Sequence, residues 1–274
     1  MDFPIMYKIR QTIDTPEIVN IEKAVIQELS NLNLARRIKP GARIAITAGS
    51  RGIHNIDLIL KTVIDVLKTH QAAPFIVPAM GSHGGAAARG QLEVLKSLNV
   101  TEETMEAPIE SSMDVVQVGA SSNGFPVLVD KIASEADGVV VVNRIKPHTE
   151  FEGPIESGLM KMMAIGLGNH KGCFQVHKQA VNYGYSNIIP EIGSLILKKL
   201  PVVFGLGIVE NLFDATACVA ACLPEQFYET ESQLLEKAKQ YMARLPFEEI
   251  DILVIEEIGP LSFDDDGRLP VVVV

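Results

Sequence analysis

An α/β domain with a mainly parallel sheet flanked by helices, Rossmann-like in plan, is expected from three features of the chain. Short Val/Ile-rich runs alternate with segments of helical periodicity, and the turns between them are rich in glycine. The runs also lack polar alternation, as strands buried on both faces do.

The elements follow in order. Residues 16–32 place Ile18, Ile21, Val25, Leu29 and Leu32 on one helical face, with Thr15 and Pro16 as cap and first position. Arg43-Ile-Ala-Ile-Thr-Ala reads as a strand ending at Gly49-Ser50-Arg51-Gly52. Ile56, Ile59, Leu60, Val63, Ile64 and Leu67 then keep the helical period. The same grammar repeats in Pro74–Met80 as a strand, Gly81-Ser82-His83-Gly84-Gly85 as a turn and 86–98 as a helix bearing Leu92, Leu95 and Leu98. Gly138–Asn143 is a third strand, followed by a long polar segment. Further on the pattern predicts a helix over 186–199, a strand over 201–209, a charged helix over 224–243 and a strand over 250–257. In such sheets ligands bind at the carboxyl ends of the strands. The loops 49–55, 81–85 and 143–158 all leave such ends, so one crevice at the strand carboxyl ends is expected to contain all three.

Composition narrows the function. The chain has 274 residues, 47% hydrophobic, with 24 basic against 34 acidic side chains and a formal charge of −10. Such a chain offers no broad cationic face for nucleic acid or an anionic membrane. A small anionic ligand must therefore be held by individual loop cations. Three cysteines, Cys173, Cys218 and Cys222, suit a reducing compartment, and the apolar neighbours of the last two suit buried thiols better than a zinc site. The N-terminus lacks a basic start followed by an apolar run, and no apolar stretch reaches the roughly 18 residues of a membrane span. A cytoplasmic protein is expected.

Chemistry-bearing residues cluster in the loops. Ser50-Arg51-Gly52 precedes a helix, where backbone N–H groups, the helix dipole and Arg51 together favour an anion. His83 sits in a glycine turn that lets a ligand approach its ring. His54 is placed to cap or to help bind an anion, and His70 is accounted for by a helix C-terminus. Between 144 and 171 lie Arg144, Lys146, His148, Lys161, His170 and Lys171, with His177 beyond. Lys161 stands among Leu159, Met160, Met162 and Met163. It is either an amine nucleophile in an apolar setting or a lysine snorkelling outward. His170 and His177, seven apart, are too widely spaced to chelate one metal as i and i+4 residues do.

Five of these motifs, in this order, resemble the nickel-dependent lactate racemase family: Ser50-Arg51, Gly81-Ser82-His83, Pro147-His148, Ser157-Gly-Leu-Met-Lys161, and His177 sixteen residues after the lysine. The resemblance runs from about residue 40 to residue 258. It implies a nickel pincer nucleotide, a pyridinium mononucleotide binding nickel through two sulfurs and a ring carbon. Lys161 would be its covalent anchor and His177 the remaining nickel ligand. His83 and His148 would be the acid/base pair, and Arg51 would hold the substrate carboxylate or the cofactor phosphate. The activity implied is racemisation or epimerisation of a lactate-like 2-hydroxy acid. The resemblance also implies that residues 1–258 form the cofactor-binding domain and that 259–274 begin a missing or shortened second domain.

Two departures stand out. The stretch from His148 to Lys161 is longer than in lactate racemases, and Ala48 stands three residues before Arg51, where that family tends to have an acidic residue. A non-catalytic protein that binds the nickel cofactor or another anion is the alternative reading. A nucleotide-dependent oxidoreductase ranks last, because none of the glycine turns forms G-x-G-x-x-G.

Overall fold

The structure is a computed structural model that describes Thr12 and residues 14–242. The strand expected at 250–257, the domain boundary at 258 and the tail 259–274 lie outside the described residues. Seven strands are present among them: β1 (Arg43–Ala48), β2 (Ala73–Pro78), β3 (Val115–Ala120), β4 (Pro126–Asp130), β5 (Gly138–Arg144), β6 (Val202–Glu210) and β7 (Thr216–Cys222). The helices are α1 (Ile21–Ser30), α2 (Ile56–Thr69), α3 (Ala88–Ser97), α4 (Glu102–Met105), α5 (Lys131–Ser134), α6 (Leu159–Lys161), α7 (Asn169–Tyr183), α8 (Tyr185–Lys199) and α9 (Phe227–Tyr241). A π-helical turn, Met162–Gly166, follows α6 directly.

The main sheet has the order β2-β1-β5-β6-β7, parallel except for the antiparallel edge strand β7, and β3–β4 form a separate hairpin. Its central strands are apolar on both faces. Ala45, Val139 and Val141 face a core shared with the β3–β4 hairpin and the helices from α6 to α9. Ile44, Ile46, Val140 and Val142 face a second core with α1 and α2. Each fully buried Val or Ile contributes about 1.5–3 kcal/mol, so the two faces hold the sheet as a middle layer.

The chain runs outward from β1 to β2 on one side, while β5 and β6 lie on the other, so the order reverses between β1 and β5. Their backbone pairing covers Ile44 to Ile46 and then stops. Beyond it the buried Thr47 hydroxyl accepts the Val142 N–H at 3.0 Å, substituting a side chain for the missing ladder bond as the strands part.

Two expectations shift in detail. Helix α1 begins at Ile21, where the Asn20 side chain accepts the Lys23 N–H at 2.8 Å; Thr15 and Pro16 do not start it. On α3 Leu92 is 39% exposed and the inward positions are Gln91 and Leu95. The β3–β4 hairpin, α7 and β7 have no counterpart among the expected elements. The hairpin's signal was its turn, Ser122-Asn123-Gly124, in which Gly124 adopts φ +79. The Cys218 and Cys222 thiols are free, Cys222 buried and Cys218 half-buried.

The turn after β2 is packed backbone to backbone against α3. Gly84 has φ +65, and a Cβ on Gly90 would lie 1.9 Å from the Gly84 carbonyl oxygen. Gly90→Ala therefore has no side chain that can yield to it. A loss of about 1–3 kcal/mol is expected from the denaturant midpoint, with an unchanged m-value.

Candidate functional site

The crevice opened between β1 and β5 becomes a pocket of about 300 Å³ whose walls come from each neighbouring loop. The loop after β1 supplies Gly49, Ser50, Arg51 and Ile53; the turn after β2 supplies Ala79, Met80, Ser82 and His83. Asn143, Arg144, Lys146, His148 and Glu150 come from β5 and the chain beyond it. Ser157, Lys161, Met162, Ile165 and Gly166 come from the segment running through α6. Cys173 and His177 of α7 and Tyr185 at the start of α8 close the wall. Arg51, His83, His148, Lys161 and His177 thus line one pocket, although 126 residues separate the first from the last.

Helix α2 does not begin at Gly52. Asn55, with φ +56, precedes its first residue Ile56, and the N–H of His54 donates to Glu210 Oε1 at 2.6 Å. The protein's own carboxylate occupies that N–H, so it is not open to a ligand. The other oxygen of Glu210 pairs with Arg144, tying the ends of β5 and β6 to the β1 loop. His54 does not line the pocket, and His70 caps the end of α2.

In the turn after β2, Gly81 has φ +58, and its N–H donates to the Gly166 carbonyl at 3.1 Å. The buried Gln91 donates from Nε2 to the Gly81 carbonyl at 3.1 Å. These bonds hold the turn against the π-helical segment while the His83 ring reaches across it, its Nδ1 hydrogen-bonded to Ser50 Oγ.

The loop after β5 is pinched shut at its base, where Lys146 and Ser157 exchange backbone bonds of 3.0 and 3.2 Å. His148, within it, is buried and stacks on Phe151 with centroids 4.4 Å apart. The Glu150 N–H donates to His148 Nδ1 at 3.1 Å, so the neutral ring carries its proton on Nε2. The His148 N–H itself donates to Glu156 Oε2 at 2.6 Å.

Leu159, Met160, Met162 and Met163 turn into the core, whereas Lys161 is half-buried in the pocket wall and donates to Ser157 Oγ at 3.3 Å. The lysine faces a pocket and does not snorkel to bulk solvent. The π turn that starts immediately after it is a local departure of the kind that often re-aims side chains at functional sites. Beneath α6, the fully buried Glu231 of α9 accepts the Met160 N–H at 2.8 Å.

His177 Nδ1 and the Tyr185 hydroxyl are 2.6 Å apart. Burial, then the Lys161 charge, lower the His177 pKa below its ordinary value, with Glu150 opposing. The ring is therefore neutral near pH 7 and has Nε2 for a ligand. Burial, then the charges of Glu150 and Cys173, raise the Tyr185 phenol, which stays protonated. His170 and Lys171 are exposed on α7 and do not line the pocket. Cys173 and Tyr185 do, and neither was singled out as a site residue. Cys173 was detectable as the i−4 neighbour of His177 on a helix, whereas Tyr185 lies across a helix break and has no such spacing signal.

Four cations, Arg51, Arg144, Lys146 and Lys161, line this pocket with one carboxylate, Glu150, which suits an anion. Among the described residues no three His, Cys, Asp or Glu groups converge to hold a metal ion. A metal at His177 would need its remaining donors from a bound molecule. That requirement fits a cofactor that carries its own sulfur and carbon donors.

Fold and pocket together define an α/β protein with a cationic, histidine-bearing crevice at its topological switch point. The sequence profile of the family described as "lactate racemase N-terminal domain" matches residues 7–187, and the chain belongs to that family. Among solved structures, the lactate racemase apoprotein from Thermoanaerobacterium thermosaccharolyticum superimposes with a TM-score of 0.58 at 16% identity, over 83% of this chain and 58% of that one. The likeness shows a shared fold, and the chain spans little more than half the length of that protein. No curated protein matches. No helix among the described residues is long and apolar enough to cross a membrane.

Burial pushes the Glu231 carboxyl up to about 8, against hydrogen bonds from Met160 and Leu159 that favour the charged form. An acid whose folded pKa lies above its ordinary value of 4.5 stabilises the fold below that value. It loses that contribution as pH rises through the folded pKa. Glu231→Gln should therefore gain stability relative to the parent between pH 5 and pH 8, by at least about 1 kcal/mol in denaturant titrations. A difference that stays flat over that range would show that the carboxylate is charged in the folded state.

Proposed function

We propose that this chain racemises or epimerises a lactate-like 2-hydroxy acid with the aid of a nickel pincer nucleotide anchored on Lys161. The observation that carries the reading is the convergence of Arg51, His83, His148, Lys161 and His177 on one pocket, from loops far apart in sequence. Family membership supports the same reading. Bound there, the cofactor would supply a hydride-accepting pyridinium ring and a nickel ion whose fourth donor is the His177 imidazole, a ligand type that suits nickel.

The chain's own residues have separable tasks. Arg51 holds the carboxylate of the 2-hydroxy acid, or a cofactor phosphate, in a pocket already biased towards anions. His83 and His148 move the hydroxyl proton. Because the Glu150 N–H keeps His148 protonated at Nε2, that ring is set to donate a hydrogen bond to the substrate oxygen. When Ser50 accepts from Nδ1–H, His83 has a basic Nε2 and is set to take a proton. Reversing the reaction exchanges these roles, which requires the Glu150 bond to give way. Histidine as a residue type changes charge near neutral pH, which suits such exchange.

The test is production of the full chain together with enzymes that make the cofactor. Intact mass should show an adduct that Lys161→Ala abolishes, with about one nickel per chain. Chiral chromatography should show interconversion of 2-hydroxy acid enantiomers, lowered about 10²–10⁴-fold by His83→Gln or His148→Gln. Absence of both adduct and nickel overturns the proposal. Adduct and nickel without turnover would identify a cofactor-binding protein instead.

A further inference from the structure

Glu156 has no part in the chemistry just described, yet its carboxylate is completely buried one loop behind the pocket. Oε2 accepts the N–H of His148 at 2.6 Å, and Oε1 accepts the N–H of Gly153 at 3.3 Å. Oε1 also pairs with Lys239 Nζ of α9 at 2.9 Å; the Glu156 side chain is 0% exposed and that of Lys239 26%. A buried carboxylate persists only when its oxygens are satisfied, and here two of the three donors are main-chain groups of the loop that carries His148.

We propose that Glu156 is a positioning residue for His148, and that Lys239 of α9 holds Glu156 in place. The carboxylate fixes the backbone at His148 and Gly153, which bracket Glu150 and Phe151. Those two residues contact the ring, one donating to Nδ1 and the other stacking on its face. Backbone placement at 148 and 153 therefore sets both the tautomer and the orientation of the imidazole. The ammonium end is well suited to the task. Burial works against the charge of Lys239, but its hydrogen bond and charge interaction with Glu156, aided by Glu236 at 3.6 Å, raise its pKa. Helix α9 thereby braces the site twice, through Lys239 behind His148 and through Glu231 behind Lys161.

The inference rests on the reading of His148 as a proton-transfer group, but its primary test does not need turnover. Side-chain nitrogen NMR on the full chain, with the His148 signals assigned by comparison with His148→Gln, should show a neutral ring protonated at Nε2 alone. Glu156→Ala and Lys239→Met should convert this to a mixture of tautomers. Glu156→Gln, which keeps an acceptor, should be intermediate, and Lys239→Arg should restore the parent spectrum. If Glu156→Ala fails to fold, Lys239→Met, altered at a partly exposed side chain, decides the question. In cofactor-loaded protein, Lys239→Met should lower kcat about 100-fold with KM little changed, and Lys239→Arg should recover it. A folded Lys239→Met with the parent His148 spectrum overturns the positioning role, whatever its turnover. A shifted spectrum in a protein that never racemises upholds the positioning role and overturns the racemase reading instead.

Discussion

The hydroxyl of Thr47 marks the constraint on which the site depends. Two parallel strands, β1 and β5, share a ladder only as far as Ile46, and the next buried N–H, that of Val142, would be orphaned without a side-chain acceptor. Satisfying it with Thr47 lets the strands part inside a dry core. Because the strand order reverses at this seam, the β1 and β2 loops leave on one side of the opening and the β5 loop on the other. The order reversal brings the distant loops together, and the Thr47 hydrogen bond satisfies the backbone where the strands part.

What holds those loops is a set of buried glutamates. Glu210 accepts the N–H of His54, Glu156 that of His148, and Glu231 that of Met160, at distances between 2.6 and 2.8 Å. Each side chain belongs to a different segment from the others, and each N–H lies within three residues of Arg51, His148 or Lys161. The three carboxylates do not share one charge state. Glu156 and Glu210 are paired with Lys239 and Arg144, whereas Glu231 has only main-chain donors and burial lifts its pKa to about 8. Anchoring of this kind removes loop freedom before any ligand arrives, which lowers the entropic cost of binding.

Much of the fold could be read from the chain because its parallel strands are buried on both faces and therefore appear as unbroken Val/Ile runs. The hairpin, α7 and β7 carry weaker signals. Strand β7 is built largely from Ala and Cys, and α7 is a mainly polar helix interrupted by Gly172. Both take their form from what they pack against more than from propensity. At the site, the loop cations and histidines were legible as loop residues following strands. The glutamates were not, because a buried carboxylate that accepts an N–H from another loop leaves no local spacing pattern. The occupied N–H of His54 was hidden for the same reason, since Glu210 arrives from 156 residues away to accept it.

The net charge of −10 gives the pocket its selectivity problem. An approaching anion meets a repulsive chain, but at physiological salt the Debye length is about 8 Å, so most of that field is screened outside the crevice. Inside, Arg51, Lys146 and Lys161 line the pocket, where an anion would be closer to each of them than the screening length. Arg144 lines the same pocket and is paired with Glu210. An anion bound here would be weakened more by neutralising Arg51, Lys146 or Lys161 than by changing several charges elsewhere on the surface.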